Sequence, residues 1–381
     1  MPSSDNFSVL IPDGNNDISL FVVRCLSQIP NLKIHVMSEK SYAPIRFSRH
    51  ITSFHVEKVD YNTEKHLDVI CHYMKKTKAD ILLPVKFSMT RYLSHHFQKL
   101  SKQITITPIT NINTFNIVNN KWLLAEFLKR HGFPHPDTIL YCSEENYENS
   151  IQNLSFPVLV KPIFGDSGKG IYLFDDRSKL LSFLEANIDQ SQQIIIQNCI
   201  RGIDIGCSVL CSDGKILAYT IQKGMASTGI KFSSLSEIDL IKKENVFKII
   251  EKLMSILKWN GIAHIDMLYD EKENSAKIIE INPRYWASLM GSFSAGVNFP
   301  YLSCLAGLGF SFPKPDYYLD HFIVSGKATI KHAIKYYFKK SKIDFSWKKT
   351  SLKYGMADPL AELFLMLERH SQIYRKFILK K

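Results

Sequence analysis

Short apolar runs alternate with longer amphipathic stretches over residues 7–110. Phe7–Ile11 reads as a buried strand, residues 18–28 as a helix, and Lys33–Met37, Ile81–Val85 and Ile104–Thr107 as further strands. Strands separated by helical stretches build a parallel sheet from βαβ units. The pattern then changes. Lys121–His131 has helical periodicity, opened by Asn119-Asn120 and closed by Gly132 before the turn Pro134-His135-Pro136. Strands at 158–161 and 171–174 flank a glycine-rich loop, 162–169, and are followed by a helix near 177–187 and an apolar strand at 194–197. Residues 205–222 read as a hairpin around Ser212-Asp213-Gly214, 224–237 as a mobile loop, and 239–257 as a helix. A last hairpin has strands at 262–269 and 276–281 around Asp270–Asn274. Symmetry about Glu273 sets Asp266 opposite Glu280, and Glu280 and Asn282, two apart, share a face. In Pro359–His370 a helix gathers Leu360, Leu363, Phe364 and Leu367 on one side, a face expected to dock on the body of the protein or on a second subunit.

Composition narrows the class. A chain of 381 residues with 45% hydrophobic and 12% aromatic content is expected to fold into two or three domains. No apolar run approaches a membrane span, and Met1–Asn6 does not open a secretory signal. Seven scattered cysteines without CxxC spacing point to a reduced cytoplasm rather than to disulfides or zinc. Charge is uneven: residues 314–381 hold 15 Lys/Arg and 6 Asp/Glu, a net of +9 against +12 for the whole chain. This basic C-terminal segment is either a solvated surface or a contact for an anionic partner; nucleic acid is not expected. Its Tyr336-Tyr337-Phe338-Lys339-Lys340 and Phe345-Ser346-Trp347-Lys348-Lys349 interleave rings with cations.

Candidate chemistry concentrates in four places. Asp266 and Glu280, opposed across a hairpin, repel unless a hard cation lies between them, and Asn282 adds an amide oxygen. Arg284, just beyond, suits a phosphate; the alternative is a surface hairpin with ordinary charges. Gly165, Gly168 and Gly170, around Ser167, let backbone N–H groups approach phosphate oxygens, or simply make a turn. Lys161 and Lys121 bring two cations to that loop. Gln197-Asn198-Cys199-Ile200, leading to Asp204, is either a hinge for an adenine and its ribose or a plain strand exit. Asp13-Gly14-Asn15 occupies a nucleotide loop's place but has one glycine, which argues against a dinucleotide.

Taken in order, these residues resemble the ATP-grasp superfamily over roughly residues 5–310, and within it the carbamoyl-phosphate-synthase-like and D-aspartate-ligase-like carboxylate–amine ligases. Tyr285-Trp286-Ala287-Ser288 and Ala295–Pro300 share that likeness. The resemblance implies an α/β fold: a Rossmann-like domain at 1–115, a two-lobed ATP-grasp domain at 116–313 (small lobe about 122–200, large lobe 201–313), and the basic segment 314–381. It implies that Lys121 and Lys161 hold ATP phosphates, with Gly165, Ser167 and Gly168 in the loop over them. Gln197, Asn198 and Ile200 would line adenine and Asp204 the ribose. Asp266, Glu280 and Asn282 would bind Mg2+, or Mn2+ in its place, and Arg284 would steady the transferring phosphoryl group. Where relatives usually carry glutamate, this hinge has Asn198. The implied reaction joins a small carboxylate to an amine through an acyl phosphate, with Lys223 and Lys231 as candidate substrate contacts. Alternatives are a non-catalytic ATP-binding regulator and an ATP-grasp enzyme with a non-amine acceptor.

Overall fold

The alternation at the start of the chain folds as a parallel sheet. In a computed structural model, β1 (Ser8–Ile11), β2 (Lys33–Ser38), β3 (Ser53–Val56) and β4 (Ile81–Leu82) lie in the order β3-β2-β1-β4. The structure describes residues 3–378 except 5, 142–150, 152–153, 166–167, 188–192, 228–234, 271–273 and 339–344, and no side chains beyond Arg369. The helices α1 (Asp17–Leu26), α2 (Lys65–Thr77), α3 (Phe87–His95) and α4 (Phe97–Leu100) belong to this sheet's surroundings. Ile104–Thr107, expected as a strand, contributes a single bridge, Leu82 to Ile106. Asp13 is buried, and its carboxylate accepts N–H bonds from Val85 and Lys86. Gly14 follows because a side chain there would meet Val36 Cγ1 at 2.3 Å.

Two helices, α5 (Ile112–Asn119) and α6 (Lys121–Arg130), lead into a four-stranded antiparallel sheet. It consists of β5 (Thr138–Tyr141), β6 (Val158–Pro162), β7 (Tyr172–Phe174) and β8 (Ile194–Asn198), ordered β5-β8-β6-β7 and backed by α7 (Arg177–Asn187). This lobe has its own core, with Val158, Val160, Leu180, Leu184, Ile194 and Ile196 buried together.

A six-stranded sheet completes the cleft. It contains β9 (Ile203–Ser212), β10 (Lys215–Ser227), β11 (Leu235–Ile241), β12 (Gly261–Asp270) and β13 (Ser275–Asn282), with β14 (His321–Ile323) on the far edge. The helix expected over 239–257 begins only at Glu244, as α8 (Glu244–Leu257). Before it, Leu235–Ile241 alternates with period two, burying Ser236, Ile238 and Leu240, and therefore pairs as β11. The loop expected at 224–237 is correspondingly shortened by β10 and β11; residues 228–234, with Lys231, lie outside the described residues. One sheet face packs on α8 through Val246, Ile250, Leu253 and Met254. The other packs with β1, β2, α9 (Leu289–Ser294) and α10 (Phe299–Gly307) in a single core shared with the N-terminal domain.

The C-terminal segment is anchored at both ends. Beyond β14 come α11 (Gly326–Tyr337), α12 (Ser351–Met356) and α13 (Pro359–Ile378). Buried Arg24 pairs with Glu362 at 2.8 Å, and Phe364 stacks on Phe47. The docked face of α13 is thus Ala361, Phe364 and Leu365, whereas Leu360, Leu363 and Leu367 of the expected face are exposed.

Candidate active site

Four segments converge between the two antiparallel sheets. Asn120 caps α6, its side chain accepting from the N–H groups of Trp122 and Leu123, and so places Lys121 at the helix start. Lys121 N–H donates to Ile163 O, and its Nζ donates to Gly165 O at 2.7 Å while lying 3.7 Å from Glu280 Oε1. Gly165, Gly168 and Gly170 have φ of +132°, +72° and +70°, backbone that favours glycine. Ser167 lies outside the described residues.

Lys161, on β6, is 6% exposed. Its Nζ donates to Gln197 Oε1 at 2.7 Å; Gln197 Nε2 donates to Thr138 Oγ1, and Thr138 to Pro136 O. This neutral chain fixes the side chain but does not neutralise it. Burial pulls the ammonium down to about 8, against the opposing pull of Glu280, while Lys121 lowers it further. A buried ammonium without a contacting carboxylate is a site for an anion.

The carboxylate wall owes its geometry to one irregularity. Asp270 pairs with Ser275 and Met267 with Ile278, so the hairpin turn is centred half a residue before the expected position. Then Ile279 is left without a partner, and Asp266 pairs with Glu280 after all. Without that bulge Glu280 would continue the buried series Ala276, Ile278 and point into the core; with it, Ile281 takes the core position and Glu280 and Asn282 face the cleft. The expected opposition is present, produced by a bulge rather than by turn symmetry.

A hydrogen-bonded chain braces this wall. Asn282 Nδ2 donates to Asp266 Oδ2 at 2.7 Å, and Arg284 Nη2 to Asn282 Oδ1 at 3.2 Å. His264 Nε2 lies 3.3 Å from Asp266 Oδ1, its Nδ1 bonds Ser208 Oγ at 2.8 Å, and its ring stacks on Trp286. Asp204 reaches the same face from β9, two residues before Gly206, the partner of Asp266. A Cβ on Gly206 would come within 2.8 Å of His264, so only glycine leaves the ring its place. Gln222 also faces the cleft and accepts from Ser288 Oγ at 2.7 Å. Its neighbour Lys223, expected near substrate, pairs with Ile205 on the face that packs against α8. His264, Ser208 and Gln222 are not among the expected site residues, because nothing in their spacing sets them apart from ordinary strand residues.

Two properties suit this wall to a divalent cation. Glu280, which keeps 30% of its side-chain surface only because it lines a cleft, is raised by burial, with Lys121 opposing and Asp266 reinforcing the rise. Asp204 is raised by burial and then by Asp266. A cation relieves both repulsions, and two carboxylates plus an amide oxygen are hard donors that match Mg2+. Among the described residues no three His, Cys, Asp or Glu side chains form a closed cage. Two carboxylates and an amide oxygen would fill part of a Mg2+ coordination sphere, the kind an ion completes with water and phosphate.

At the hinge, Asn198 N–H donates to Asp137 O and Cys199 N–H to Pro157 O. Ile200 N–H has no backbone partner among the described residues. Asn198 Nδ2 donates to Asp137 Oδ2, while its Oδ1 is buried without a hydrogen bond.

Comparison with known proteins agrees with this picture. A family model for the ATP-grasp domain matches residues 118–288. D-alanine–D-alanine ligase A of Bacillus cereus is 27% identical over 183 residues, covering 45% of this chain and 60% of the relative. The vancomycin C-type resistance protein VanC1 of Enterococcus gallinarum is 26% identical over 206 residues, 50% of this chain and 58% of the relative. This chain therefore spans about 60% of the length of such curated relatives. N5-carboxyaminoimidazole synthetase from Staphylococcus aureus superposes with a TM-score of 0.66 at 17% identity, covering 89% of this chain and 90% of that one. An L-amino acid ligase from Bacillus licheniformis superposes with a TM-score of 0.60 at 18% identity, covering 80% and 75%. These two likenesses bear on the fold. With the three-sheet architecture and the cleft residues already in place, residues 118–288 match the ATP-grasp domain family.

Proposed function

We propose that this protein is an ATP-dependent carboxylate–amine ligase that forms an amide through an acyl phosphate. The observation that carries the reading is the convergence of Lys121, Lys161 and Glu280 on one cleft, with Lys161 buried, charged and unneutralised. Three residues from α6, β6 and β13 meet where a polyphosphate and its cation would lie.

Lys161 and Lys121 hold the phosphate oxygens, beside the glycine loop; Ser167, expected in that loop, lies outside the described residues. Asn198, Ile200 and Gln197 face the adenine, and Asp204 the ribose. Asp266 and Glu280, with Asn282, would hold Mg2+, which would spread the charge that develops on the phosphates. The substrate carboxylate attacks the γ-phosphorus, the bond to the bridging oxygen breaks, and ADP leaves. Arg284 steadies the phosphoryl oxygens. The amine then attacks the acyl carbon and phosphate departs with the bonding pair. Water must be kept out between these steps, because it would hydrolyse the acyl phosphate.

A screen of amino acids, short peptides and sugar acids, alone and in pairs, for Mg2+-dependent ADP release tests this reading, with mass spectrometry of the product. ADP release is expected only when a carboxylate and an amine are both present, with loss of one water from their summed mass. ADP release that is indifferent to every added amine would overturn the ligase assignment.

A further inference from the structure

The helix α11 has its sides reversed relative to an ordinary surface helix. Thr329, His332 and Ala333 face the body; Thr329 and Ala333 are buried, and His332 Nε2 lies 2.9 Å from Glu237 Oε1. The solvent side carries Ile330, Ile334, Tyr337 and Phe338, exposed by 52%, 54%, 66% and 71%. At 3.6 residues per turn these four fall within an arc of about 100°. Lys327, Lys331 and Lys335 form an exposed row along one border of that arc, and none pairs with a carboxylate among the described residues. The helix contains no Asp or Glu. On the other side of the helix, between Thr329 and His332, Tyr336 contacts Phe345, and Phe345 contacts Trp347.

We infer that this face is a docking surface for an anionic phospholipid bilayer, on which α11 lies parallel to the membrane plane. An apolar stripe bordered by lysines, with the amphipathic ring of Tyr337 within it, meets both layers of a lipid surface: acyl chains below and phosphate or carboxylate headgroups above. No helix among the described residues is long and apolar enough to cross a membrane, so the association is peripheral. A second copy of the chain fits the surface less well, because each copy would bring three lysines and no carboxylate of this helix to the contact. Nucleic acid would use the lysines but leave the Ile330–Ile334 stripe without a role.

Co-sedimentation of the full chain with vesicles of phosphatidylcholine, with or without phosphatidylserine, tests the inference. Binding is expected to the phosphatidylserine vesicles and to weaken with salt. The triple variant Lys327→Glu, Lys331→Glu, Lys335→Glu should bind at least roughly a hundredfold less, at about fivefold per lysine. The variant Ile330→Ser, Ile334→Ser, Phe338→Ser should lose binding while keeping the lysines. All six positions are exposed, so circular dichroism and thermal unfolding should match wild type. Failure to sediment with phosphatidylserine vesicles, equal sedimentation with both lipids, or full binding by the serine variant would overturn it. So would a dimer that the serine variant converts to monomer without any vesicle binding, or oligonucleotide binding lost with the lysines and unaffected by the serines.

Discussion

The two walls of the cleft are built differently. The carboxylate wall is part of a six-stranded sheet packed on both faces, against α8 on one side and against the N-terminal domain on the other. Its functional groups brace one another from Ser208 through His264, Asp266 and Asn282 to Arg284. The phosphate wall is a four-stranded sheet over a small core of its own, and its lysine is steadied by a single amide, Gln197. One wall is fixed by the whole molecule and the other by itself. Local stability follows such boundaries, so the small lobe is expected to behave as a separate cooperative unit, as the proposed nucleotide cleft would need in order to open and close.

The largest effect is expected on the fixed wall. Glu280→Gln removes the carboxylate that the bulge at Ile279 turns into the cleft and should lower ADP release by at least about a thousandfold, the scale of losing a main electrostatic contact in phosphoryl transfer. Because burial already disfavours the charged form of Glu280, the variant should unfold at the same temperature as wild type or above it. A rate within tenfold of wild type at saturating ATP and Mg2+ would remove Glu280 from the chemistry.

The next effect belongs to the small lobe. Ile196→Ala, at a fully buried position of its core, should cost about 2–5 kcal/mol. Hydrogen exchange should speed up across β5 to β8 and remain unchanged in β9, β10 and β12. Equal loss of protection in both sheets would show one cooperative unit and dissolve the contrast.

Legibility in the sequence follows the same division. Strand–helix alternation announced the parallel sheet, because period and length are local properties. The hairpin at 262–281 was legible as a pairing but not as a bulge: the register slip is decided by which residues the two cores accept, and Ile279 looks like any other strand isoleucine. The sequence places Leu235–Glu237 in a loop and residues 239–241 in a helix, because Lys242-Lys243, the break, carries no glycine or proline. The motifs name Lys121, Lys161 and Glu280 as candidates and the fold brings them to one cleft, while His264 and Gln222 join it only when β9, β10 and β12 lie side by side. Lys223 failed by one residue, since neighbours on a strand face opposite sides.

A smaller effect separates the walls by pH. Lys161 titrates near 8 against an ordinary 10.5, so between these values the unfolded chain holds a proton that the folded one has released. Stability of the ligand-free protein therefore rises with pH across that window. Nucleotide affinity runs the other way, because phosphate binds the charged form. Calorimetric affinity for ADP should be level up to pH 8 and then fall by up to about tenfold per pH unit. Lys161→Met should bind weakly with no such slope. A wild-type affinity that stays flat to pH 9.5 would mean that Lys161 does not meet the phosphates.

The smallest effect sits at the hinge between the walls. Asn198 holds Asp137 with its Nδ2 and buries an unpaired Oδ1, and an unsatisfied buried acceptor costs about 1–3 kcal/mol until a donor arrives. The exocyclic amino group of adenine is such a donor; the 6-oxo group of hypoxanthine is not. Asn198→Ala should therefore weaken ADP by about fivefold, the scale of one neutral hydrogen bond, and leave inosine diphosphate nearly unaffected, so that the preference between the two shrinks. The unfolding temperature should hold, since the same change removes the orphaned oxygen together with the bond to Asp137. If ADP and inosine diphosphate lose affinity equally, Asn198 serves the strand and not the base, and discrimination rests on the backbone at Ile200.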